Sequence, residues 1–126
     1  MRYLALDVGD RRVGLAVGDD AFGLTRALPT LRRSRRLADD VATLARIAAQ
    51  EEVDGLVVGL PLTLSGTIGA QARRAQAFAA ACEAIGLPVA LYDERNTTVE
   101  AIRRGAADPD AGAARVLLED FLAARR

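Results

Sequence analysis

The sequence predicts an α/β fold with a five-stranded mixed sheet. That sheet opens as an antiparallel hairpin meander and continues through βαβ crossovers, with helices on its flanks. Three observations carry this. The chain opens with apolar runs joined by a tight turn at Gly9 and Asp10, later strands alternate with stretches of helical periodicity, and Leu56–Leu60 is evenly apolar, as in a sheet covered on both faces. With 126 residues and 51% hydrophobic content, the chain suits one domain with a real core, spanning 1–126.

In order, Tyr3–Leu6 reads as a first strand, apolar on both faces and therefore central. Asp7 closes it. A carboxylate at the edge of a buried strand needs a positive partner, a metal ion or an arginine, unless it simply caps the turn made by Gly9 and Asp10. The second strand of the hairpin runs to Asp19. Gly23–Leu31 is a third strand, with Pro29 pointing to an edge. Ser34 is placed to cap a helix reaching about Glu52, in which Leu37, Val41, Leu44 and Ile47 recur at helical spacing. After the Leu56–Leu60 strand comes a loop of small and hydroxyl residues, Pro61–Gly69. A second helix runs to about Ile85, with Ala75, Phe78, Cys82 and Ile85 on one stripe and Gly86 as its stop. Val89–Tyr92 is the fifth strand. Thr97 and Glu100 form a capping box for a short helix to Arg104, and Asp108-Pro109 starts the last helix.

Composition narrows the chemistry. Histidine is absent, which removes His-based acid–base and nucleophile schemes and His-ligated zinc. Carboxylates holding hard cations remain the most economical hydrolytic machinery. The single cysteine, Cys82, rules out an internal disulfide, fits a reducing, cytoplasmic setting and reads as core. No apolar run approaches the ~20 residues of a membrane span. Net charge is zero and all 17 cations are arginine. Pairs such as Arg11/Arg12, Arg32/Arg33 and Arg35/Arg36 are either solvated faces or local positive patches on a neutral protein.

The acids fall where ligand sites form, at the carboxyl ends of strands and the start of the last helix. Asp110 lies on the same helical stripe as Ala114, Leu117, Leu118 and Phe121, which would turn it inward, whereas a residue serving only the helix dipole could sit on any side. On the fifth strand Ala90, Tyr92 and Glu94 share one face and Asp93 the other. Only one of the two acids readily shares a face with Asp7, and Glu94 is favoured over Asp93. The Pro61–Gly69 loop leads into a helix N-terminus, where amides with Ser65 and Thr67 either hold a phosphate or serve ordinary capping.

Together these segments resemble the YqgF family, also called RuvX. Its members are small bacterial proteins of the ribonuclease H fold, classed as Holliday-junction resolvases and as nucleases of pre-16S ribosomal RNA. The resemblance rests on Asp7-Val8-Gly9 with Arg11-Arg12-Val13-Gly14, on Val57-Val58-Gly59-Leu60-Pro61-Leu62 with Gly66 and Gly69, on Asp93-Glu94-Arg95 with Thr97-Thr98, and on Asp110-Ala111 with Ala113-Ala114. It covers nearly the whole chain. Asn96, Thr63, Ser65 and Gly112 depart from the family's usual residues. The resemblance implies a ribonuclease H-like domain and a metal-dependent endonuclease. Asp7, Glu94 and Asp110 would be both catalytic acids and ligands of two Mg²⁺ or Mn²⁺ ions. Arg11, Arg12, Ser65, Thr67 and Arg95 would contact nucleic acid, either a four-way DNA junction or a ribosomal RNA precursor. Symmetric cutting of a junction would favour a homodimer. Two rivals use the same residues: a phosphotransfer module, since an Asp-x-Gly hairpin also opens actin-like ATPases, and a non-catalytic RNA-binding or scaffold protein.

Overall fold

The computed structural model describes residues 1–62, 65, 66, 68–94 and 109–125, the side chains of residues 94 and 109–111 excepted. In chain order the elements are β1 (Arg2–Val8), β2 (Arg12–Asp19), β3 (Thr25–Arg32), α1 (Leu37–Gln50), β4 (Gly55–Pro61), α2 (Ala70–Cys82) with a 3₁₀ turn at Glu83–Ile85, β5 (Val89–Glu94) and α3 (Pro109–Ala124). The strands form one sheet in the order β3-β2-β1-β4-β5. The opening meander is antiparallel, and β1, β4 and β5 run parallel. This is the expected mixed sheet, and β1 is central as its two-faced apolarity predicts: Leu4, Ala5 and Leu6 are wholly buried.

The two faces are covered differently. Leu4, Leu6, Val8, Val13, Leu15, Val17, Leu56 and Val58 pack against Leu44 and Ala48 of α1 and Ala75, Phe78, Ala79 and Cys82 of α2. The other face carries Tyr3, Ala5, Ala16 and Val57 under Ala114, Leu117, Leu118, Phe121 and Leu122 of α3, with Ala90 and Tyr92 packed against them. Phe121 lies between two tyrosines, edge-on, at 5.1 Å from Tyr3 and 5.7 Å from Tyr92, a geometry that adds to the burial itself.

β3 is an edge strand, as Pro29 suggests. Its pairing shifts beside Gly14: Val13 faces Leu31 and Leu15 faces Leu28, so Pro29 and Thr30 together oppose one residue. A bulge is where a residue without an N–H fits a ladder.

The α1 start differs from the expected Ser34 cap. The helix begins at Leu37, with Arg36 at the N-cap and no side-chain cap bond. Ser34 is spent elsewhere: its hydroxyl accepts the Arg36 N–H at 3.2 Å and donates to the Arg36 carbonyl at 2.9 Å. The Asp40 carboxylate accepts the Ser34 N–H at 2.9 Å, which holds the turn leading into the helix. The helix closes through Glu52, whose φ of 54° is left-handed, with the Val53 N–H returning to the Ala48 carbonyl at 3.1 Å. Gly86, with φ of 90°, stops the 3₁₀ turn after α2, as expected. β4 and β5 each run further than expected, to Pro61 and Glu94. The expected helix from Thr97 to Arg104 and the Asp108 cap lie outside the described residues.

Candidate active site

The candidate site is built on the C-terminal end of β1. Asp7 is half-buried there. In the ladder it stands opposite Gly14 of β2, and one step beyond the Leu6–Val58 pair it comes abreast of Gly59 of β4. Its lateral neighbours on both sides are therefore glycines. Neither contributes a side chain beside this carboxylate.

Gly59 in turn pairs with Tyr92, and Pro61 with Glu94. Because Ala90 and Tyr92 pack on the α3 face, position 94 is the next on that face, the one that carries Asp7. Asp93 alternates to the other face and is exposed. Position 110 lies in the first turn of α3, four residues before the buried Ala114. The donors Asp7, Glu94 and Asp110 offer oxygen only, the set that Mg²⁺ and Mn²⁺ take. By the chemistry of their donor atoms alone, these residues would suit such ions. Among the described residues, which exclude the side chains of 94 and 110, no three acidic or thiol side chains gather.

The turn after Asp7 is tightly made. The Gly9 N–H donates to the Arg12 carbonyl at 2.8 Å, and a Cβ on Gly9 would stand 2.9 Å from that oxygen, so the close approach requires glycine. An open depression of about 280 Å³ lies here, lined by Gly9, Asp10, Arg11 and Arg12. Arg11 and Arg12 are exposed, as is Ser65 in the loop after β4. Thr67 and Arg95 lie outside the described residues.

Sequence reasoning missed the residue that holds this turn. The Arg33 guanidinium donates to the Gly9 carbonyl at 3.0 Å and lies 5.2 Å over the Phe78 ring of α2. Its Nε is 3.8 Å from the buried Asp40 carboxylate of α1, while the Arg33 N–H donates to the Arg11 carbonyl at 2.8 Å. Arg74 of α2 adds an ion pair to Asp10 at 2.6 Å. Both helices of one face thus grip the turn that presents the other face's acid. The only signal in the sequence was an arginine pair beside a strand end, which reads equally as a solvated face.

A β3-β2-β1-β4-β5 sheet with an acid on its first strand and a helix across the face of that acid defines a ribonuclease H-like protein. Solved structures agree on the fold: RuvC of Thermus thermophilus, in a complex with a Holliday junction substrate, superposes with a TM-score of 0.65 at 17% identity, covering 99% of this chain and 96% of that one. Residues 1–124 match the RuvX family, described as Holliday junction resolvase. The chain belongs to that family, and with it to the nucleases of this fold. Among its relatives, a "Putative pre-16S rRNA nuclease" of Anaeromyxobacter sp. (strain Fw109-5) is 43% identical over 99% of this chain and 98% of its own length. A protein of the same description from Moorella thermoacetica (strain ATCC 39073 / JCM 9320) is 42% identical over the whole of this chain and 81% of its own length.

Proposed function

We propose that this chain is a divalent-metal-dependent endonuclease that hydrolyses phosphodiester bonds in structured nucleic acid, with Asp7, Glu94 and Asp110 as its catalytic acids. The observation that carries the reading is Asp7 at the C-terminal end of the central strand, flanked by Gly14 and Gly59. A half-buried carboxylate at the carboxyl end of a central strand stands where ligand sites form in open α/β sheets. The three acids would hold two Mg²⁺ or Mn²⁺ ions. When bound, the ions supply activation of the attacking water and charge stabilisation for the leaving oxygen.

The chain's own residues bind and orient. Arg11 and Arg12, around the depression beside Asp7, take phosphate oxygens, with Arg95 following Glu94 in the same role. Ser65, Thr67 and the amides at the start of α2, whose N-cap Gly69 offers no side-chain cap, are a second phosphate position. Base stacking contributes little in a chain with three Phe, two Tyr and no Trp. The relatives' description points to a ribosomal RNA precursor and the family description to a four-way DNA junction, both substrates of the cytoplasm. On a two-fold junction the active form would be a homodimer.

The test is cleavage of a four-way DNA junction and of a structured pre-16S RNA fragment, in magnesium, manganese or chelator. Cutting requires metal, and Asp7→Asn abolishes it while binding stays equal or tightens, because a negative charge beside the phosphates is gone. Wild-type rates from Asp7→Asn remove that residue from the mechanism. Binding without cutting, in every metal, returns the scaffold reading.

A further inference from the structure

In the hairpin turn after Asp7, acceptors are engaged while donors are left open. The Gly9 carbonyl accepts the Arg33 guanidinium at 3.0 Å. The Arg11 carbonyl accepts the Arg33 N–H, and the Arg12 carbonyl accepts the Gly9 N–H, each at 2.8 Å. The Asp10 carboxylate is paired with Arg74 at 2.6 Å. The N–H groups of Asp10 and Arg11, by contrast, have no hydrogen-bond partner among the described residues.

Peptide geometry gives these donors a direction. The Arg33 guanidinium lies over Phe78, on the face that α1 and α2 cover, so it draws the Gly9 carbonyl to that side. The peptide is planar and trans. The Asp10 N–H therefore points the opposite way, toward the face of Asp7, since Leu6 and Val8 pack under the helices and Asp7 alternates away from them. Planarity also sends the Asp10 carbonyl away from whatever the Arg11 N–H faces. Arg74 belongs to α2, so the turn's one negative charge is balanced from the same side as Arg33. The open depression of about 280 Å³ is lined by Gly9, Asp10, Arg11 and Arg12. To it the turn offers consecutive N–H groups and the exposed Arg11 side chain. Successive backbone N–H groups of a turn make an anion-binding concavity.

We infer that the Asp10 and Arg11 amides form a main-chain seat for a backbone phosphate of the substrate strand, and that Arg33, acting through the Gly9 carbonyl, is the positioning residue that keeps the seat aimed. The inference rests on the nuclease reading for the source of the phosphate. It deepens that reading by giving the turn's own backbone, and not only its arginine side chains, a part in binding. Main-chain amides on a phosphate read no base, so the seat serves DNA and RNA strands alike.

The experiment follows the Asp10 and Arg11 amide resonances of isotope-labelled wild type in chelator, where nothing is cut. A four-way DNA junction, a pre-16S RNA fragment or inorganic phosphate is added. Both amide protons should move downfield with at least one of the nucleic acids. Affinity over a salt series then compares wild type, Arg33→Met/Asp40→Asn, which leaves no buried charge alone, and Arg46→Gln on the exposed side of α1 as control. The double variant should bind on the order of tenfold more weakly at the salt slope of wild type, because no phosphate-neutralising cation has been lost. A slope lower by about 1 on DNA would make Arg33 a direct phosphate contact and overturn its positioning role, as would unchanged affinity in a folded double variant. Arg33→Lys, which keeps a donor for the Gly9 carbonyl, should recover part of the loss. If the double variant melts below the assay temperature, the wild-type amide shifts and Arg33→Lys decide. Amides that stay still while a probe binds, a wild type that binds neither nucleic acid, or movement with inorganic phosphate alone overturns the seat. Amide shifts with nucleic acid but no cleavage in manganese leave the seat standing and sink only the nuclease reading.

Discussion

At the scale of single residues, Arg33 ties together the turn that follows Asp7. It neutralises Asp40, whose Oδ2 has no hydrogen-bond partner, and it holds the Gly9 carbonyl. Arg33→Met keeps the apolar contact with Phe78 but leaves a buried charge alone. The expected loss is about 2–4 kcal/mol, measured by urea unfolding, and adding Asp40→Asn recovers part of it because the orphaned charge is gone. Cys82 gives a pH signature. Burial pushes its thiol from an ordinary value near 9 up to about 11. The folded state thus favours the neutral thiol, and that contribution is complete below pH 9 and lost as pH rises toward 11. The urea midpoint should fall further between pH 8 and pH 10.5 in wild type than in Cys82→Ala; equal falls would remove Cys82 as the cause. Asp7 and Cys82 were legible in the sequence because each sits in a regular apolar pattern. Arg33 was not, since its partners come from a turn and two helices that only the tertiary fold brings together.

At the scale of elements, the strands were legible and the helix ends less so. Alternation along Ala90, Tyr92 and Glu94 assigned the fifth strand's faces, and the packing of Ala90 and Tyr92 under α3 agrees. The α1 start was misread because Ser34 has the chemistry of a cap, yet its hydroxyl bonds the backbone of Arg36. Periodicity marks a helix's body, while its ends depend on which of several polar side chains wins the free amides. The α1 end stores strain of the same local kind. Glu52 occupies a left-handed position that glycine takes without penalty. Glu52→Gly should therefore stabilise the protein by about 0.5–1 kcal/mol, seen as a raised urea midpoint at unchanged slope; a lowered midpoint would show that the Glu52 side chain matters more than its backbone.

At the scale of the whole molecule, one face of the sheet belongs to the helices between strands and the other to a helix from the far end of the sequence. Among the described residues no helix is long and apolar enough to cross a membrane. Removing residues 109–126 strips the cover from Tyr3, Ala5, Ala16 and Val57. Such a chain should lose its cooperative thermal transition and bind a hydrophobic dye; a sharp transition would mean that the first face suffices. The contact of Tyr3 with Phe121 also has a temporal meaning. Strand β1 is synthesised before every other element described and α3 after them. A nascent chain held beside ribosomal RNA therefore carries Asp7 long before it can carry the proposed third acid, Asp110. Order of synthesis alone keeps the proposed centre unfinished until α3 has been made.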